Sequence, residues 1–283
     1  MAHSLSRFIA VLLLGGFGAA GSLSAQQIWL GSGRTGEVSV EILRPDLKSS
    51  AYGDQSFASV ALFLSGRFPI GPKTTLVAEL PWANGHFTYN YPCFMGGCTT
   101  ESGSTLGDPY LGIEGGRDGS PVFGEFGVRF PLASESQPAP ELVGASADLE
   151  RVDAFAPKVA TIEAFANYRA VAPNGFAFRL RGGPLAWVAT QQYVLGNRDA
   201  ELWFAYAVQA GYQSRSFTFL GGLGGRAILT EDVSNRFTDQ LVFSAAIRVG
   251  GLRPGVSVRL PIDHDRDQLV GSAIGVSLSV DLR

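Results

Sequence analysis

Apolar and polar residues alternate with a period of two along almost the whole chain, in segments of strand length. The pattern is clearest near the C-terminus, where Ile274, Val276, Leu278, Val280 and Leu282 alternate with small or polar residues. Successive residues of a β-strand point to opposite faces, so each segment predicts a strand with one apolar and one polar face. Such strands suit either a water-soluble β-sandwich or a barrel embedded in a membrane.

The N-terminus favours the barrel. Arg7 is followed by the apolar run 8–14 and then by small residues as far as Ala25. This arrangement predicts a secretory signal peptide over residues 1–25, and no cysteine follows the cleavage site to carry a lipid. The glycines that interrupt the run argue against a membrane anchor, and no later stretch is apolar enough for a membrane helix. We therefore expect residues 26–283 to be exported as one domain.

The composition narrows the possible classes of protein further. The exported part of the 283-residue chain is long for a single sandwich and suits one large barrel. The chain carries 22 basic and 25 acidic residues, so it lacks the basic footprint of a nucleic-acid partner. The two cysteines, Cys93 and Cys98, lie close together in an exported chain, which predicts a disulfide that stiffens one loop. A free thiol pair or a metal site is the alternative.

The alternation predicts about twelve strands, and their connections are sorted by length. The expected strands lie near 37–45, 55–69, 74–83, 105–116, 122–132, 159–170, 175–188, 200–213, 217–229, 236–248, 252–262 and 271–282. Connections after even-numbered strands are short, whereas those after odd-numbered strands are generally longer. Bacterial outer-membrane barrels have an even number of strands, short periplasmic turns and long outer loops. The sequence therefore predicts an all-β protein, a closed antiparallel up-and-down transmembrane β-barrel in the bacterial outer membrane.

The charged residues of these segments share the polar face. A charge that faces lipid at mid-depth costs about 2–4 kcal/mol, so we expect them to line the lumen. The lumen-lining candidates are Glu41, Arg67, Glu79, Asp108, Glu114, Glu125, Arg129, Glu163, Arg169, Arg179, Arg181, Glu201, Arg226, Arg248, Arg259 and Asp281. Asp239 falls on the apolar face, but near the outer end of its strand, where the cost is small.

Aromatic residues cluster near the ends of the strands, as in the girdles of membrane barrels. The candidates for these girdles are Trp82, Phe87, Tyr89, Tyr91, Tyr168, Trp187, Tyr212 and Phe217. A soluble sandwich would leave both the aromatic residues and the sorting of the connections unexplained.

Three short segments give a narrower resemblance. Residues 78–82 (AELPW), 106–112 (LGDPYLG) and 127–132 (GVRFPL) resemble the transporter family linked with meta-pathway phenol degradation. The resemblance implies a channel for small, often hydrophobic compounds. Outer-membrane lipid, the barrel-assembly machinery and an unidentified small solute are the implied partners. Such barrels usually end in an aromatic residue that the machinery recognises, whereas this chain ends in Leu282-Arg283.

The sequence gives little support for catalysis or metal binding. His86 and His264, the latter among Asp263, Asp265 and Asp267, suggest a protease-like pair or a calcium site, but a polar outer loop explains them as well. We predict no catalytic residue, metal site or cofactor. The glycine run 221–225 has no helix after it, so it indicates a thin place in the wall where a neighbouring strand or an inner side chain comes close.

The connection 133–158 is the longest, and it has two interpretations. It forms either a surface loop with a short helix, which we favour, or a constriction folded into the barrel. Three hypotheses follow for function. The first is a narrow conduit for a small solute, which we favour. The second is a closed structural or adhesive barrel that displays its outer loops, and the third is an enzyme at the rim.

Overall fold

The computed structural model describes residues 36–48, 54–88, 100–116, 120–192, 194–195, 198–230, 236–263 and 267–282. Within these ranges, no helix is both long and apolar enough to span a membrane. The signal peptide over residues 1–25, the cysteine pair Cys93 and Cys98, and His264 lie outside the described residues. The predictions made for them therefore stay predictions.

The described residues form fourteen strands, one α-helix and one 3-10 helix. The strands are β1 (Glu37–Leu47), β2 (Asp54–Gln55), β3 (Val60–Gly71), β4 (Thr74–Thr88), β5 (Thr100–Leu106), β6 (Tyr110–Gly115), β7 (Val122–Arg129), β8 (Val159–Val171), β9 (Phe176–Ala189), β10 (Ala200–Gln213), β11 (Phe217–Ile228), β12 (Phe237–Ile247), β13 (Leu252–Pro261) and β14 (Val270–Asp281). The helices are α1 (Pro138–Ala147) and the 3-10 helix η1 (Leu149–Phe155).

The strands close into an antiparallel barrel. Each long strand pairs with its neighbours in sequence, and β14 returns to pair with β1, so that Glu37 lies opposite Asp281. Successive segments β5 and β6 both pair with β4, which makes them one broken member of a closed twelve-stranded barrel. The short β2 extends the sheet at the outer end of β4. The fold class predicted from the alternation is confirmed.

The two faces of the barrel wall differ as the alternation predicts. Apolar side chains on the outside are largely exposed, including Phe126 at 57% and Ile274 at 60%. Charged side chains on the inside are buried, including Arg67 and Glu79. The short connections all lie at the end where β1 starts, and the long ones lie at the opposite, outer end. Exposed apolar area of this extent is unfavourable in water and favourable against acyl chains.

Two predicted strands are interrupted. The expected strand 55–69 breaks between β2 and β3, where the N–H of Ser59 donates to the carbonyl oxygen of Ser56 at 3.1 Å and closes a turn. The expected continuous strand 105–116 is wrong, because the ladder stops at Gly107-Asp108-Pro109 and resumes at Tyr110. Pro109 has no N–H to donate to a ladder, and the N–H of Asp108 donates instead to the carbonyl oxygen of Ala154 at 2.7 Å. The strand predicted at 74–83 also runs further than expected, to Thr88.

The connection 133–158, which we call the plug, enters the lumen, so the surface-loop interpretation is wrong. Helix α1 packs on the inner faces of β1, β3, β4, β5 and β14, and η1 contacts β11 and β12. Its small and apolar residues explain the entry. Ala147 and Phe155 pack with Leu43, Phe63 and other buried wall residues. Nearer the outer end, Ala139 and Val143 join a second buried cluster with Leu47, Phe87 and Val270.

Candidate functional site

Arg151 is the centre of the plug's attachment to the wall. Its side chain is about 1% exposed, and its guanidinium reaches three carboxylates. Nη1 lies 3.1 Å from Glu79 on β4, Nε lies 2.8 Å from Asp148 of the plug itself, and Nη2 pairs with Glu41 on β1. The cation also lies 3.7 Å above the ring of Phe63. Burial alone would lower the pKa of Arg151, but these carboxylates raise it above its usual value.

A second ion-pair centre lies at Asp153. One oxygen lies 2.7 Å from Nε of Arg129 on β7, and the other lies 3.1 Å from Nη2 of Arg226 on β11. Arg129 also donates to Glu79 at 2.8 Å, which joins this centre to that of Arg151. Burial would raise the pKa of Asp153, but the two guanidinium groups hold it below its usual value. The plug thereby connects strands on opposite sides of the barrel.

The start of η1 is fixed by Asp148. Its carboxylate caps the helix by accepting from the N–H of Glu150 at 3.1 Å. The side-chain amide of Gln240 on β12 donates to Asp148 at 2.8 Å, and Nε of Arg259 on β13 lies 3.4 Å away. Arg259 also donates to Glu41 at 2.8 Å. Asp148, Arg259 and Glu41 therefore link the plug to β13 and β1 at this level.

A further network of ion pairs lies at the end of the lumen where β1 starts, which we call the inner end. It contains no residue of the plug. Glu114 pairs with Arg67 and lies 3.6 Å from Arg169. Arg179 donates to Gln213 at 2.9 Å. Arg253 lies 3.2 Å from Glu37 and also pairs with Asp281, which in turn accepts from Arg248. In this region the wall strands are linked directly to one another.

Between these levels lies a small cavity. It is lined by Glu150, Glu163, Phe165, Arg181, Leu185, Ala205, Tyr206 and Ala207. Its volume corresponds to about one water molecule. Burial, together with the neighbouring carboxylate of Asp148, raises the pKa of Glu150 to about 7. This cavity is therefore too small to hold a solute while the plug is docked.

The predicted lumen candidates fall mainly on the buried inner face. Those that are buried are Glu41, Arg67, Glu79, Asp108, Glu114, Glu125, Arg129, Glu163, Arg179, Arg181, Arg226 and Arg259, while Arg169, Glu201, Arg248 and Asp281 are partly exposed. The structure brings Glu41, Glu79, Arg129, Arg226 and Arg259 together around the plug. Sequence reasoning missed Glu37 and Arg253, although they share the parity of Glu41 and Arg259. It also missed the plug residues Asp148, Arg151 and Asp153.

Two of the predicted girdle aromatics face inward instead, so their assignment to a girdle is wrong. Phe87 is fully buried in the cluster beneath α1. Trp187 packs inside the barrel against Trp203, with ring centroids 5.2 Å apart. By contrast, Tyr212 and Phe217 are exposed on the outer face at 48% and 39%. Tyr89 and Tyr91 lie outside the described residues.

The remaining sequence candidates have structural explanations. Ser59 Oγ bonds the backbone N–H and C=O of His86 at 3.0 and 3.2 Å, a contact that fixes the chain rather than the imidazole. Asp267 pairs with Lys48 at 3.2 Å. No group of three or more His, Cys, Asp or Glu side chains with a metal-binding arrangement occurs in the part of the chain that the structure describes. Asp239, the charged residue on the apolar face of its strand, accepts a hydrogen bond from Tyr206.

The glycine run 221–225 allows close approach, as predicted. A Cβ atom at Gly224 would collide with the carboxylate of Glu150, and one at Gly222 would collide with the backbone of Val208 and Gln209. The thin place in the wall therefore accommodates both an inner side chain and a neighbouring strand.

Comparison with solved structures identifies the class of fold. The chain is similar to the COG4313 outer membrane channel from Pseudomonas putida F1, with a TM-score of 0.60 and 10% identity over 92% of this chain and 100% of that one. The NanC porin gives a TM-score of 0.53 and 10% identity over 87% and 100% of the two chains. The translocator domain of the autotransporter NalP from Neisseria meningitidis gives 0.53 and 9% identity over 88% and 90%.

At identities this low, the likeness shows the fold alone: that of the outer-membrane β-barrels. No protein-family model matches the sequence, and no curated protein matches it either.

Proposed function

We propose that the protein is an outer-membrane channel for small solutes whose lumen is closed by its own plug. The observation that carries this proposal is the way in which the plug is held. Most of its polar attachments to the wall are side-chain ion pairs and hydrogen bonds, such as those of Arg151 and Asp153, rather than a β-ladder. A segment attached through side chains can leave without breaking the barrel, and a twelve-stranded wall encloses more space than its own side chains fill.

The family resemblance supports the same conclusion. Its three segments lie side by side in the wall, because Ala78 pairs with Leu111 and Leu111 pairs with Val128. Their polar residues include Glu79, Asp108 and Arg129, which hold the plug. Asp108 accepts from the N–H of Ala133 at 2.6 Å, at the point where the plug begins. The resemblance implies a channel for small, often hydrophobic compounds, and we extend that solute class to this chain.

Planar-bilayer recordings test the proposal. The full exported chain is compared with a variant in which residues 138–155 are replaced by a Gly-Ser linker of equal length. We expect small or rare conductance steps from the intact protein and larger, sustained steps from the variant. Trp82→Phe, on the outer face, serves as the control and should behave as the intact protein does. A correctly folded variant that conducts no ions would refute the channel.

A closed structural barrel is the second candidate. It is favoured by the network at the inner end, where Arg67, Glu114 and Arg169 join strands independently of the plug. If this network blocks the lumen by itself, removing the plug changes nothing in the recordings. The same experiment therefore separates the two candidates.

The cellular location is part of the proposal. We infer export through residues 1–25, followed by insertion into the outer membrane by the barrel-assembly machinery. Membrane fractionation should recover the chain with the outer membrane. Heating before electrophoresis should shift its mobility, as expected of a barrel that resists detergent. Recovery of the folded chain in the soluble fraction would contradict this location.

A further inference from the structure

A group of buried hydrogen-bond donors on the inner wall has no hydrogen-bond partner within the ranges that the structure describes. Buried donors are normally satisfied in native structures, so each exception requires an explanation. The group comprises Thr161 on β8, Trp187 on β9, Trp203 on β10 and Arg226 on β11, and we call it the donor cluster. Among the described residues, nothing bonds the Thr161 hydroxyl, either indole N–H, or Nε and Nη1 of Arg226.

The members of the donor cluster lie together. Thr161 is directly opposite Trp187 in the ladder between β8 and β9. The two indole rings are tilted by 42°, with centroids 5.2 Å apart. The guanidinium carbon of Arg226 lies 5.9 Å from the ring of Trp187 and 6.0 Å from that of Trp203. Arg226 is only 2% exposed, so its two unbonded donors carry most of the desolvation penalty of a buried charged group.

The donor cluster lies near the outer end of the barrel. All four residues lie within a few positions of the outer ends of their strands. The main body of the plug, α1, packs on β1, β3, β4, β5 and β14, whereas η1 contacts β11 and β12. Both tryptophans are partly exposed, although their N–H groups are buried. Part of each tryptophan side chain is therefore left uncovered by the described residues, with its N–H group buried behind it.

The surrounding charges determine which acceptor fits. Asp153 already pairs with Nη2 of Arg226 at 3.1 Å. Glu201 lies two residues from Trp203 on the same inner parity. An incoming carboxylate would meet these negative groups, whereas an uncharged oxygen would accept from the donors without repulsion. Phe165, Leu185 and Ala205 form an apolar cluster directly below the tryptophans.

We propose that the donor cluster is a binding site for a small, uncharged aromatic solute that carries an oxygen acceptor. The aromatic ring packs on Trp187 and Trp203, and the oxygen accepts from their N–H groups and from Arg226. This inference rests on the proposed channel for its biological meaning, because it names the solute recognised at the outer mouth. It goes beyond that channel by assigning the residues and the chemical group that distinguish one small hydrophobic compound from another.

Calorimetry with matched probes tests the site. The full exported chain in lipid nanodiscs is titrated with acetophenone and with ethylbenzene, with empty nanodiscs as the blank. The two probes have nearly the same size and differ in the carbonyl oxygen. We expect acetophenone to bind several-fold more tightly. The double variant Trp187→Phe/Trp203→Phe keeps two rings but removes both N–H groups, so it should weaken acetophenone about tenfold and leave ethylbenzene nearly unchanged.

The controls give clear contrary results. Trp82→Phe removes an indole N–H from the outer face and should leave both affinities unchanged. Equal binding of the two probes, binding of neither, or a loss of affinity in Trp82→Phe equal to that in the double variant would overturn the site. Tighter binding of benzoate than of acetophenone would overturn its preference for uncharged solutes. Binding with the expected preference in a barrel that never conducts would refute the channel and leave the site standing.

Discussion

The two sides of the lumen differ in how some of their buried polar groups are satisfied. On the side formed by β14, β1, β3, β4 and β5, the plug covers the wall and its charges meet partners, as with Arg151, Glu41 and Glu79. On the opposite side, formed by the outer parts of β8 to β11, the N–H donors of Trp187 and Trp203 are buried and have no hydrogen-bond partner in the described part of the chain. Both sides carry the same alternating pattern, so the difference arises from the plug.

This contrast distinguishes polar groups that hold the plug in place from polar groups that remain available to a solute. A buried ion pair that is complete is costly to break, because removing one member leaves the other charged and desolvated. A buried donor that is already unpaired costs little to remove, because its desolvation penalty is relieved. Substitutions on the plug-bearing side should therefore be severe, whereas comparable substitutions on the opposite side should be mild. The same reasoning marks the opposite side as the place where a solute can contribute the missing contacts.

The largest effect is expected for Arg151→Met. The variant keeps the length of the side chain but leaves the carboxylates of Glu41, Glu79 and Asp148 without their shared cation. We expect docking of the plug to weaken by about 3–5 kcal/mol. Amide hydrogen exchange in α1 measures this directly, because opening of the plug exposes its backbone. The exposed Arg215→Met, on an inner turn, is the matched control and should change exchange in α1 by no more than a small factor.

An unchanged exchange rate in Arg151→Met would mean that apolar packing alone holds the plug. In that case ion pairing would not be what distinguishes the two sides of the lumen. Arg151→Lys sharpens the test, because lysine keeps the charge but cannot match three carboxylates with a planar fork. It should fall between the parent and Arg151→Met.

Two glycines test how closely the plug fits. Alanine at Gly107 would bring Cβ against the carbonyl oxygen of Ala154 and within 2.9 Å of the Phe155 ring. Neither neighbour can move without shifting the plug, so we expect a loss of about 1–3 kcal/mol in docking. Alanine at Gly224 would meet only the flexible end of Glu150, and the cost should be smaller. Hydrogen exchange in α1 ranks the two variants.

Gly115→Ala is the control for this pair, since an added Cβ there meets nothing within 4 Å. Equal effects from Gly107→Ala and Gly224→Ala would indicate that the plug adjusts freely on both walls. That result would contradict the close packing between η1 and the break after β5.

The wall of the barrel could be predicted from the sequence because the side chains of a strand alternate between two faces with a period of two residues. Membrane and lumen impose opposite requirements on successive side chains, so the parity of Glu41, Arg129 or Arg259 is visible without knowledge of the fold. Connection lengths indicated which ends of the strands lie together. The missed positions Glu37 and Arg253 obey the same rule, but they lie at strand ends, where the pattern is short.

The plug could not be predicted from this alternation. Its charges, such as Arg151 and Asp153, resemble those of a solvated loop, and their partners lie far away in sequence on β1, β4, β7 and β11. Small residues such as Ala139, Gly144 and Ala147 were the available signal, since they let a helix approach a wall closely. Trp187 was misassigned because an aromatic residue near a strand end fits both a girdle and an inner site, and only its parity distinguishes them.

The pH dependence of plug docking should be weaker than the effect of Arg151. The pKa of Glu150 is about 7 in the docked plug, compared with an ordinary value of 4.5. Between these values the docked state holds a proton that the released state has lost, so docking weakens as the pH rises through that interval. We expect exchange in α1, corrected for its intrinsic pH dependence, to accelerate from pH 5 to pH 8. Glu150→Gln should reduce this acceleration, and an unaltered profile would assign it to other groups.

The smallest effect is expected on the opposite side. Trp187→Phe/Trp203→Phe removes two buried, unpaired N–H groups and keeps two rings, so stability should change by less than about 0.5 kcal/mol or should increase slightly. Urea titration in lipid vesicles, with the folded fraction read from electrophoretic mobility, measures this without relying on tryptophan fluorescence. The outward Trp82→Phe provides the reference for losing an indole. A large destabilisation would show that these donors have structural partners after all, and the distinction between the two sides of the lumen would fail.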